Sequence, residues 1–461
     1  MAAPEPGPEA GPAARSGYDQ ADDIVAEARQ RAEALLLTND SELGLLAATQ
    51  FYRQLWARDS MLSGLGLLLC DDERAHDSFR RSLATLGRYQ SPLGKIPHNV
   101  ERLATEAVPV EGGHDGAESA GQIVLDTAHA GCVDSNLWFI LGHYYHYRST
   151  GDEATLRGAW PNLLAALTWL RYQDSNECGL LEVHEAMDWA DLLANRYNVL
   201  FDNVLYSASW RAMGELARVL GGREAEAADA WLANALDVRQ KIDTLMWVGP
   251  EAPTDFARLT RERREWLYPI KRMEVELGER PFYLPYVAFR DFPDRFDTLG
   301  NLMAILLGVA DGPKTARILD YLEATGLDEP LPVRALYPPI RPGEADWRTY
   351  YRLRNLNQPD HYHNGGAWPF VGGIYVAALV KAGRLDKARC QLAKLAEMNS
   401  RGRHAQWEFN EWFHGLSGKP LGQAGQSWSA ALYVFAHESV KRGTVPVFGE
   451  SVLWAAGGAE T

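Results

Sequence analysis

The sequence contains few cysteines, and no two of them lie close together. The four thiols of the 461-residue chain belong to Cys70, Cys132, Cys178 and Cys390, and none forms a C-x-x-C pair. Neither a structural zinc site nor a disulfide framework is therefore expected, and the thiols are predicted to be free. No apolar run reaches the roughly 18 residues that a membrane-spanning helix needs, so no membrane association is expected.

Basic residues are outnumbered by acidic ones, and no basic stripe interrupts that balance. The chain has 46 Lys and Arg against 61 Asp and Glu, a net charge of −15. Such a protein repels phosphate backbones, so nucleic acid is not expected as a partner. Residues 1–17 are rich in Ala, Pro, Gly and Glu and lack the apolar run of a signal peptide, which predicts a disordered tail and a cytoplasmic location.

Helical periodicity dominates the rest of the chain, and no comparable set of alternating strands is found. Twelve helices are predicted, each boundary being uncertain by a few residues. They lie near 22–37, 59–70, 74–90, 135–149, 153–172, 203–220, 224–246, 297–309, 313–325, 366–382, 384–397 and 426–441. Turns in which an apolar helix stops and a charged helix begins at once indicate helical hairpins. These turns lie at Asp71, Gly151, Gly222, Gly312 and Gly383.

Twelve helices in hairpin order predict an all-α fold, a (α/α)6 toroid or six-hairpin barrel with six inner and six outer helices. An open solenoid of helix pairs would show a similar pattern. A single domain over 18–445 is expected, followed by a C-terminal tail, 446–461. Loops as long as those between the hairpins are usually functional and are expected to gather at one end. They span 91–134, 173–202, 247–296, 326–365 and 398–425.

Two of these loops carry acidic side chains among aromatic ones. The candidates are Glu185, Asp188, Asp191, Glu408 and Glu411. Aromatic neighbours desolvate a carboxyl group and raise its pKa towards the range in which it can hold or take a proton. Cleavage of an acetal needs an acid and a base or nucleophile, so two carboxyl groups from separate loops meet the requirement. The spacing does not show which two of these carboxyl groups act together. The alternative interpretation is that the glutamates form salt bridges on their loops.

The segment N-Q-P-D-H-Y-H-N-G-G-A-W-P-F, residues 357–370, combines amides, imidazoles, glycines and a tryptophan just before a helix. It predicts a polar cradle for a sugar, although polar caps and turn glycines would also suit a helix start. His361 and His363 have H-x-H spacing without a third ligand nearby, so no metal is expected. At another helix start, Arg58 and Asp59 suit either sugar hydroxyls or a helix cap, and the same two interpretations apply to Asp134.

Several motifs resemble known families. V-D-S-N-L-W-F-I-L-G, R-F-D-T-L-G-N-L-M-A-I and N-Q-P-D-H-Y-H-N-G-G-A-W-P resemble segments of the alkaline/neutral invertases, glycoside hydrolase family 100, in the same order. E-W-F-H-G-L-S-G-K-P-L-G-Q-A-G-Q-S-W-S-A-A resembles the base-bearing segment of family 63 α-glucosidases. R-D-S-M-L-S-G-L-G is similar to amylo-α-1,6-glucosidase-like proteins of bacteria. The resemblance covers roughly residues 50 to 440 and implies a (α/α)6 barrel and an inverting mechanism.

The resemblance also implies two catalytic residues. The acid-bearing Asp of these families matches Asp188 better than Asp191, and Glu411 keeps the family 63 spacing to Trp428. Alignment on Trp407, following the invertase pattern, favours Glu408 as the base, so that assignment stays open. The invertase acid motif, an Asp followed by two arginines, is absent after Asp188, and sucrose specificity therefore cannot be inherited.

The sequence thus predicts an inverting glycoside hydrolase that releases glucose from an α-glucoside, with Asp188 as acid, Glu411 as base and no cofactor. Sucrose-like disaccharides, glucosylglycerate-like solutes and short α-gluco-oligosaccharides are candidate substrates. The residues expected to bind the glucosyl unit are Trp56, Arg58, Asp59, Asp134, His363, Asn364, Gly365, Trp368, Gln426 and Trp428. A sugar phosphorylase and a non-catalytic oligosaccharide-binding protein remain alternatives. The oligomeric state is open, and a homo-oligomer is compatible with the sequence.

Overall fold

A computed structural model describes residues 17–103, 122–126, 132–249 and 261–448. Apart from Gly17 and residues 446–448, the two predicted tails lie outside these ranges. The described part of the chain holds thirteen α-helices: α1 (Gly17–Thr38), α2 (Ala57–Leu67), α3 (Glu73–Arg88), α4 (Asp134–Thr150), α5 (Glu153–Arg171), α6 (Leu200–Leu220), α7 (Ala228–Met246), α8 (Leu267–Glu276), α9 (Thr298–Leu306), α10 (Gly312–Ala324), α11 (Pro369–Lys381), α12 (Leu385–Ser400) and α13 (Ser427–Arg442). No helix in these ranges has both the length and the apolar character needed to cross a membrane.

Short antiparallel strands tie the loops together. They are β1 (Asp40–Ser41), β2 (Gly44–Leu45), β3 (Leu55–Trp56), β4 (Asn99–Leu103), β5 (Gln122–Asp126), β6 (Asn198–Val199), β7 (Tyr286–Val287), β8 (Phe296–Asp297), β9 (Leu336–Tyr337), β10 (Trp412–Phe413) and β11 (Pro420–Leu421). The pairs are β1 with β2, β6 with β7, β8 with β9 and β10 with β11, and β4 lies between β3 and β5. The strands β3, β6 and β8 run directly into the helices α2, α6 and α9. The strand pairs therefore fix the points where these three helices begin.

Six helices form a closed inner ring. Helix α2 contacts α4, and the series continues through α6, α9 and α11 to α13, which contacts α2 again. These helices are apolar on nearly every side: all residues of α2 and α9, and all of α11 before Lys381, are buried. A helix without a polar face is stable only when it is surrounded by other elements. The prediction of a helical protein is confirmed, and the ring gives it a closed core.

The other helices of the predicted pairs cover this ring. Helices α3, α5, α7 and α12 pack on the inner helices that precede them, and α1 packs on α13. The outer helix α3 buries one stripe only, which includes Phe79, Leu83 and Leu86. At the α4–α5 hairpin, Gly151 ends α4 with a φ of 68° and Asp152 accepts a hydrogen bond from the backbone N–H of Thr155.

All twelve predicted helices are present, with two differences of detail. Gly312 begins α10, and the left-handed φ of 76° falls on Gly308 after the end of α9. Helix α8 was not predicted. It has ten residues, of which Pro269, Ile270 and Met273 are buried, so its periodic signal is short. The long loops precede the inner helices in the chain and therefore lie at their N-terminal ends.

Candidate active site

The N-terminal ends of inner helices come together. Arg58, in the first turn of α2, forms an ion pair with Asp134, the first residue of α4. Trp368, immediately before α11, packs edge-on against Trp428 in the first turn of α13, with ring centroids 5.7 Å apart. Each of these helix ends carries a partial positive charge that favours nearby carboxylates. The site is therefore built where acidic groups can accumulate.

Arg58 and Asp134 form a buried ion pair. Burial opposes ionisation of Asp134, but the Arg58 charge and hydrogen bond hold the Asp134 pKa below its ordinary value. The Cys132 thiol donates to Asp134 at 2.9 Å. The potential metal-ligand atoms of His98, Cys132 and Asp134 lie within 4.8 Å of one another. Arg58 Nη2 is 3.8 Å from the Cys132 sulfur, so a guanidinium already supplies positive charge to this group.

Asp188 is buried, with 1% of its surface exposed. Its Oδ1 accepts the backbone N–H of Ala190 at 2.8 Å, and its Oδ2 accepts the Asn195 amide at 3.1 Å. Arg58 Nη2 donates to the Asp188 carbonyl oxygen at 3.3 Å. Burial raises the Asp188 pKa to about 6, the negative charge of Asp134 adds to the rise, and the two N–H donors oppose it. The group can therefore hold a proton close to neutral pH.

Sequence reasoning missed two further buried carboxyls near Asp188. Asp202 lies in the first turn of α6, and Asp297 precedes α9 and accepts the Gly300 N–H at 3.2 Å. Burial, followed by the charge of Asp188, raises the pKa of Asp297 to about 7 and that of Asp202 well above its ordinary value. Neither Asp202 oxygen has a hydrogen-bond partner among the described residues. A signal existed, because four predicted inner helices begin at an aspartate or directly after one.

Glu411 lies directly before β10 and is 6% exposed. The backbone N–H of Gln423 donates to its Oε2 at 3.0 Å. Burial raises the Glu411 pKa to about 7; the Gln423 N–H and a hydrogen bond from Tyr362 oppose the rise, and the charges of Asp191 and Asp59 add to it. A carboxyl with this pKa can take a proton at neutral pH, as a general base must.

Glu408, the alternative candidate for the base, accepts hydrogen bonds from a different part of the chain. Its carboxylate accepts the backbone N–H groups of Arg403, His404 and Ala405 at 2.7 to 2.9 Å. Although partial burial opposes ionisation, these three donors bring the pKa of Glu408 below its ordinary value. Glu408 therefore stabilises a turn as a fixed anion, and these contacts favour Glu411 for proton transfer.

Two more acids share the surroundings of Glu411. Asp59 is buried, and burial raises its pKa to about 7 although the Arg58 charge opposes the rise. The Asp191 side chain is 40% exposed and lies 3.8 Å from Nδ1 of His363. Burial, together with the charges of Glu411, Asp191 and Asp59, raises the pKa of the Tyr52 phenol. These groups form the acidic, partly open side of the site.

Aromatic rings pack against one another beside these acids. His363 stacks on Trp368 with centroids 5.1 Å apart and 9° between planes, and Trp189 meets both rings edge-on. Phe370 stacks on Trp428 at 4.3 Å. The Trp189 and Trp428 indole N–H groups and His363 Nδ1 have no hydrogen-bond partner among the described residues. Burial, with the Arg58 charge, lowers the His363 pKa well below its ordinary value, so the ring is neutral.

The remaining predicted residues have different surroundings. Asn364 exchanges hydrogen bonds with the backbone of Ile340 at 2.6 and 2.8 Å, so it holds two loops together. Gly365 has a φ of 99°, which side-chain-bearing residues rarely adopt. Gln426 is buried beside α13, and its amide nitrogen has no partner in the described ranges. Trp56 is half-buried. Of these four, Gln426 and Trp56 retain polar or aromatic groups for a ligand.

Comparison with known sequences finds a match to a family of invertases. The family described as alkaline and neutral invertase matches residues 287–442, about a third of the chain. Probable alkaline/neutral invertase D of Arabidopsis thaliana is 34% identical over 147 residues, 31% of this chain and 26% of that protein. Cytosolic invertase 1 of Oryza sativa subsp. japonica is 31% identical over 177 residues, 37% and 29% of the two chains. The chain thus spans little more than a quarter of these relatives, and the resemblance to the invertases is confirmed.

Solved structures share the fold over most of the chain. The GH63 mannosylglycerate hydrolase from Thermus thermophilus, in complex with glucose, has a TM-score of 0.61 at 17% identity, covering 88% of this chain and 99% of that one. A bacterial glucoamylase complexed with acarbose has a TM-score of 0.57 at 13% identity, covering 94% of this chain and 59% of that one. These likenesses extend the match beyond the invertase segment.

Proposed function

We propose that this chain is a glycoside hydrolase that releases glucose from an α-glucoside with inversion at the anomeric carbon. The observation that carries the proposal is the pairing of two carboxyl sources: Glu411, with a pKa of about 7, and the acidic segment 184–191. Glu411 is hydrogen-bonded to Tyr362, whose ring packs against Trp368, and the segment contributes Trp189, which packs edge-on against the same ring. The indole N–H of Trp189 has no hydrogen-bond partner among the described residues. Inverting hydrolysis needs a general acid, a general base and a surface that binds the sugar.

Glu411 acts as the general base in this proposal. Its carboxylate takes a proton from a water molecule whose oxygen attacks the anomeric carbon, while an acid from the segment 184–191 protonates the glycosidic oxygen on the opposite face. The resemblance favours Asp188 as that acid, and the partly open Asp191 is a second candidate on the same turn. In this proposal the predicted sugar-binding residues Trp56, Asp59 and Gln426 bind the glucosyl unit.

The substrate class follows from the resemblance and from the chemistry of the site. The relatives matched are invertases, and mannosylglycerate hydrolase and glucoamylase share the fold. An α-glucoside with a small polar leaving group is consistent with these neighbours, and sucrose-like, glucosylglycerate-like and short α-gluco-oligosaccharide substrates are the candidates. We also propose that the closed helix ring is the (α/α)6 toroid of a single catalytic domain, 18–445, with the long loops at one end.

A cytoplasmic location belongs to the same proposal. One matched relative is the cytosolic invertase of rice, whereas others are chloroplastic or mitochondrial. Cell fractionation with an antibody against the native protein tests this point. Recovery of the protein with organelles would contradict it.

A substrate panel tests the activity. Purified protein is incubated with sucrose, glucosylglycerate, kojibiose, isomaltose and maltooligosaccharides, and released glucose is measured together with its initial anomer by NMR. Release of β-glucose from at least one α-glucoside is expected, and Glu411→Gln should lose nearly all turnover while keeping its circular dichroism spectrum. Release only in the presence of phosphate, as glucose 1-phosphate, would indicate a phosphorylase. Binding in calorimetry without release would indicate a carbohydrate-binding protein.

A further inference from the structure

We propose that Tyr362 is a positioning residue for the base and that its phenol holds the Glu411 carboxylate in the orientation that the attacking water requires. This inference rests on the proposed hydrolase function and extends it to a residue that the sequence motifs did not single out. The Tyr362 O–H donates a hydrogen bond to the Glu411 carboxylate. The backbone and the packing around both residues fix this contact.

Tyr362 has a backbone conformation that side-chain-bearing residues seldom adopt. Its φ is 43°, in the left-handed region that favours glycine. The Trp368 indole N–H and the Gly366 N–H both donate to the Tyr362 carbonyl oxygen at 3.0 Å. A Cβ on Gly366 would lie 2.5 Å from that oxygen, so the turn closes only with glycine there. Conformations of this kind persist where the surroundings hold them, and they cluster at functional sites.

The Tyr362 ring is enclosed by other rings. Its centroid lies 4.0 Å from that of His363, 4.8 Å from that of Trp368 and 5.7 Å from that of Trp412. Trp412 directly follows Glu411 in the chain. Close-packed rings leave a side chain few alternative rotamers. The phenol is therefore held beside the residue that carries the base.

Backbone hydrogen bonds join the turn of Tyr362 to the strand that follows Glu411. Ala367 and Phe413 exchange N–H···O bonds of 2.7 and 2.8 Å, and the Gly415 N–H donates to the Asp360 carbonyl oxygen at 2.9 Å. Phe413 belongs to β10, which begins immediately after Glu411. The phenol and the carboxylate thus project from one hydrogen-bonded unit, and the backbone sets their separation.

Glu411 is held from a second direction. Its N–H donates to the Gln423 carbonyl oxygen at 2.8 Å, and the Gln423 N–H donates to its Oε2 at 3.0 Å. A Cβ on Gly422 would lie 2.6 Å from the same Oε2, so the carboxylate lies against the backbone. Two donors from separate segments fix the orientation of a carboxylate and leave its other lone pairs for a water molecule.

The phenol favours the ionised form that a base must have. Burial, together with the charges of Asp191 and Glu411, raises the Tyr362 pKa well above its ordinary value, so the phenol keeps its proton and stays a donor. The other titratable groups around Glu411 or its neighbours Trp412 and Gly422 are Asp59, Asp191, Tyr52, His361, His414 and Arg403. Among them, the acids raise the Glu411 pKa, whereas the Tyr362 hydrogen bond lowers it.

The variant Tyr362→Phe removes the O–H and keeps the ring. Without the hydrogen bond the Glu411 pKa should rise, so the acid-side midpoint of kcat/KM on the best α-glucoside of the panel should move up by about one pH unit. At about pH 9, where most of the base is ionised in either protein, kcat should still be lower by about 10-fold because the carboxylate is less well oriented. KM should change by less than about threefold.

Tyr144→Phe is the matched control. The Tyr144 phenol donates to the Glu215 carboxylate at 2.5 Å, towards the end of α4 that is remote from Asp134. Its loss removes the same kind of hydrogen bond away from the site, so kcat and the midpoint should match those of the unchanged protein. Tyr362→Phe with an unmoved midpoint would overturn the inference, whether or not kcat falls, because the phenol would then not act through the base.

Direct titration of Glu411 separates this inference from the proposed function. The protein is prepared with isotope-labelled glutamate, and the Glu411 carboxyl signal in NMR is identified by its absence from Glu411→Gln. Its titration midpoint should be higher in Tyr362→Phe than in the unchanged protein, and equal midpoints would overturn the inference. This measurement needs no turnover. Failure of the unchanged protein to release glucose from any substrate of the panel would instead contradict the proposed function.

Discussion

The protonation state of Glu411 should be visible in the pH dependence of turnover. A base must be ionised, and burial together with the charges of Asp191 and Asp59 raises the Glu411 pKa to about 7. We therefore expect kcat/KM to fall on the acid side with a midpoint near pH 7, measured from about pH 5 to about pH 9. Asp59→Asn removes one negative charge and should move the midpoint to lower pH. A midpoint at the ordinary glutamate pKa would contradict this explanation.

Glu408 provides a contrasting glutamate three residues away. Glu408→Gln leaves one oxygen to accept the three N–H groups that the carboxylate accepts now, so the turn at 403–405 should weaken. The free energy of unfolding should fall by about 1 kcal/mol, the usual net value of a hydrogen bond, while kcat stays within about twofold. Urea denaturation and glucose release measure the two quantities. Loss of turnover in Glu408→Gln, with turnover retained in Glu411→Gln, would move the base to Glu408.

Among the helices, close approach to α13 depends on glycine. A Cβ on Gly373 of α11 would lie 2.4 Å from the Leu432 carbonyl oxygen, and one on Gly66 of α2 would lie 2.1 Å from that of Ala431. The backbone of α13 cannot move aside as the end of a flexible side chain can. Gly373→Ala should therefore destabilise the fold by about 1–3 kcal/mol, the usual cost of overpacking a core.

Gly158 gives the matched control for this prediction. It is exposed on the outer helix α5, and a Cβ there would meet nothing within 4 Å. Gly158→Ala should stabilise the protein by about 0.5–1 kcal/mol, because alanine loses less backbone entropy in a helix. Thermal unfolding of both variants tests the pair. Equal shifts in Tm would contradict the view that helix packing, rather than helix propensity, decides the result.

The helices could be predicted because apolar residues recur along them at helical spacing. Apolar spacing marks even the nine-residue helix α9, all of which is buried, whereas α8 buries only three of its ten residues, one of them Pro269. Most of the strands have two residues and leave no periodic trace. Several pairs join segments far apart in the chain, such as β8 with β9 and β6 with β7, and depend on where the ring brings the loops.

The site was predictable in its motifs but not in its exposure. The aromatic residues adjacent to Glu411 in the sequence predict a desolvated carboxyl group, and Glu411 is buried in the structure. Asp188 and Asp191 look alike in sequence, and only the turn made by Ala190 and Asn195 separates a buried carboxyl from an open one. Asp202 lies near Asp188 because of the way in which α6 packs. No local sequence pattern predicts that packing.

In the molecule as a whole, the two ends of the described chain close the ring. The Asn39 amide donates to the Gly425 carbonyl and to the Ser427 hydroxyl, both at 2.9 Å. The Ser427 N–H donates to the Ala47 carbonyl at 2.9 Å. Helix α13 thus starts from a seam made by residues nearly four hundred positions apart. The proposed base, Glu411, belongs to the same C-terminal part of the chain as Gly425 and Ser427, so its position depends on closure of the ring.

Closure also buries acids in a protein with a net charge of −15, and this makes stability depend on pH. Burial raises the pKa of Asp59, Asp188, Asp202, Asp297 and Glu411 in the folded state. Above the unfolded pKa of about 4, the unfolded chain releases protons that the folded chain keeps. The free energy of unfolding should therefore decrease as pH rises through the range between the unfolded and folded pKa values.

The variant Asp202→Asn isolates the contribution of one carboxyl group to the pH dependence of stability. The folded pKa of Asp202 is raised, mainly by burial, and an asparagine takes up no proton. The Tm of the variant relative to the unchanged protein should therefore rise from about pH 4 to about pH 8. Asp152→Asn is the opposite control: hydrogen bonds from Thr155 lower the Asp152 pKa in the fold, so its relative Tm should fall as pH rises towards the unfolded pKa of about 4 and should change little above about pH 5. Parallel Tm curves for Asp202→Asn and the unchanged protein would mean that the folded pKa of Asp202 is not raised, and that the Arg58 charge offsets the effect of burial on this carboxyl group.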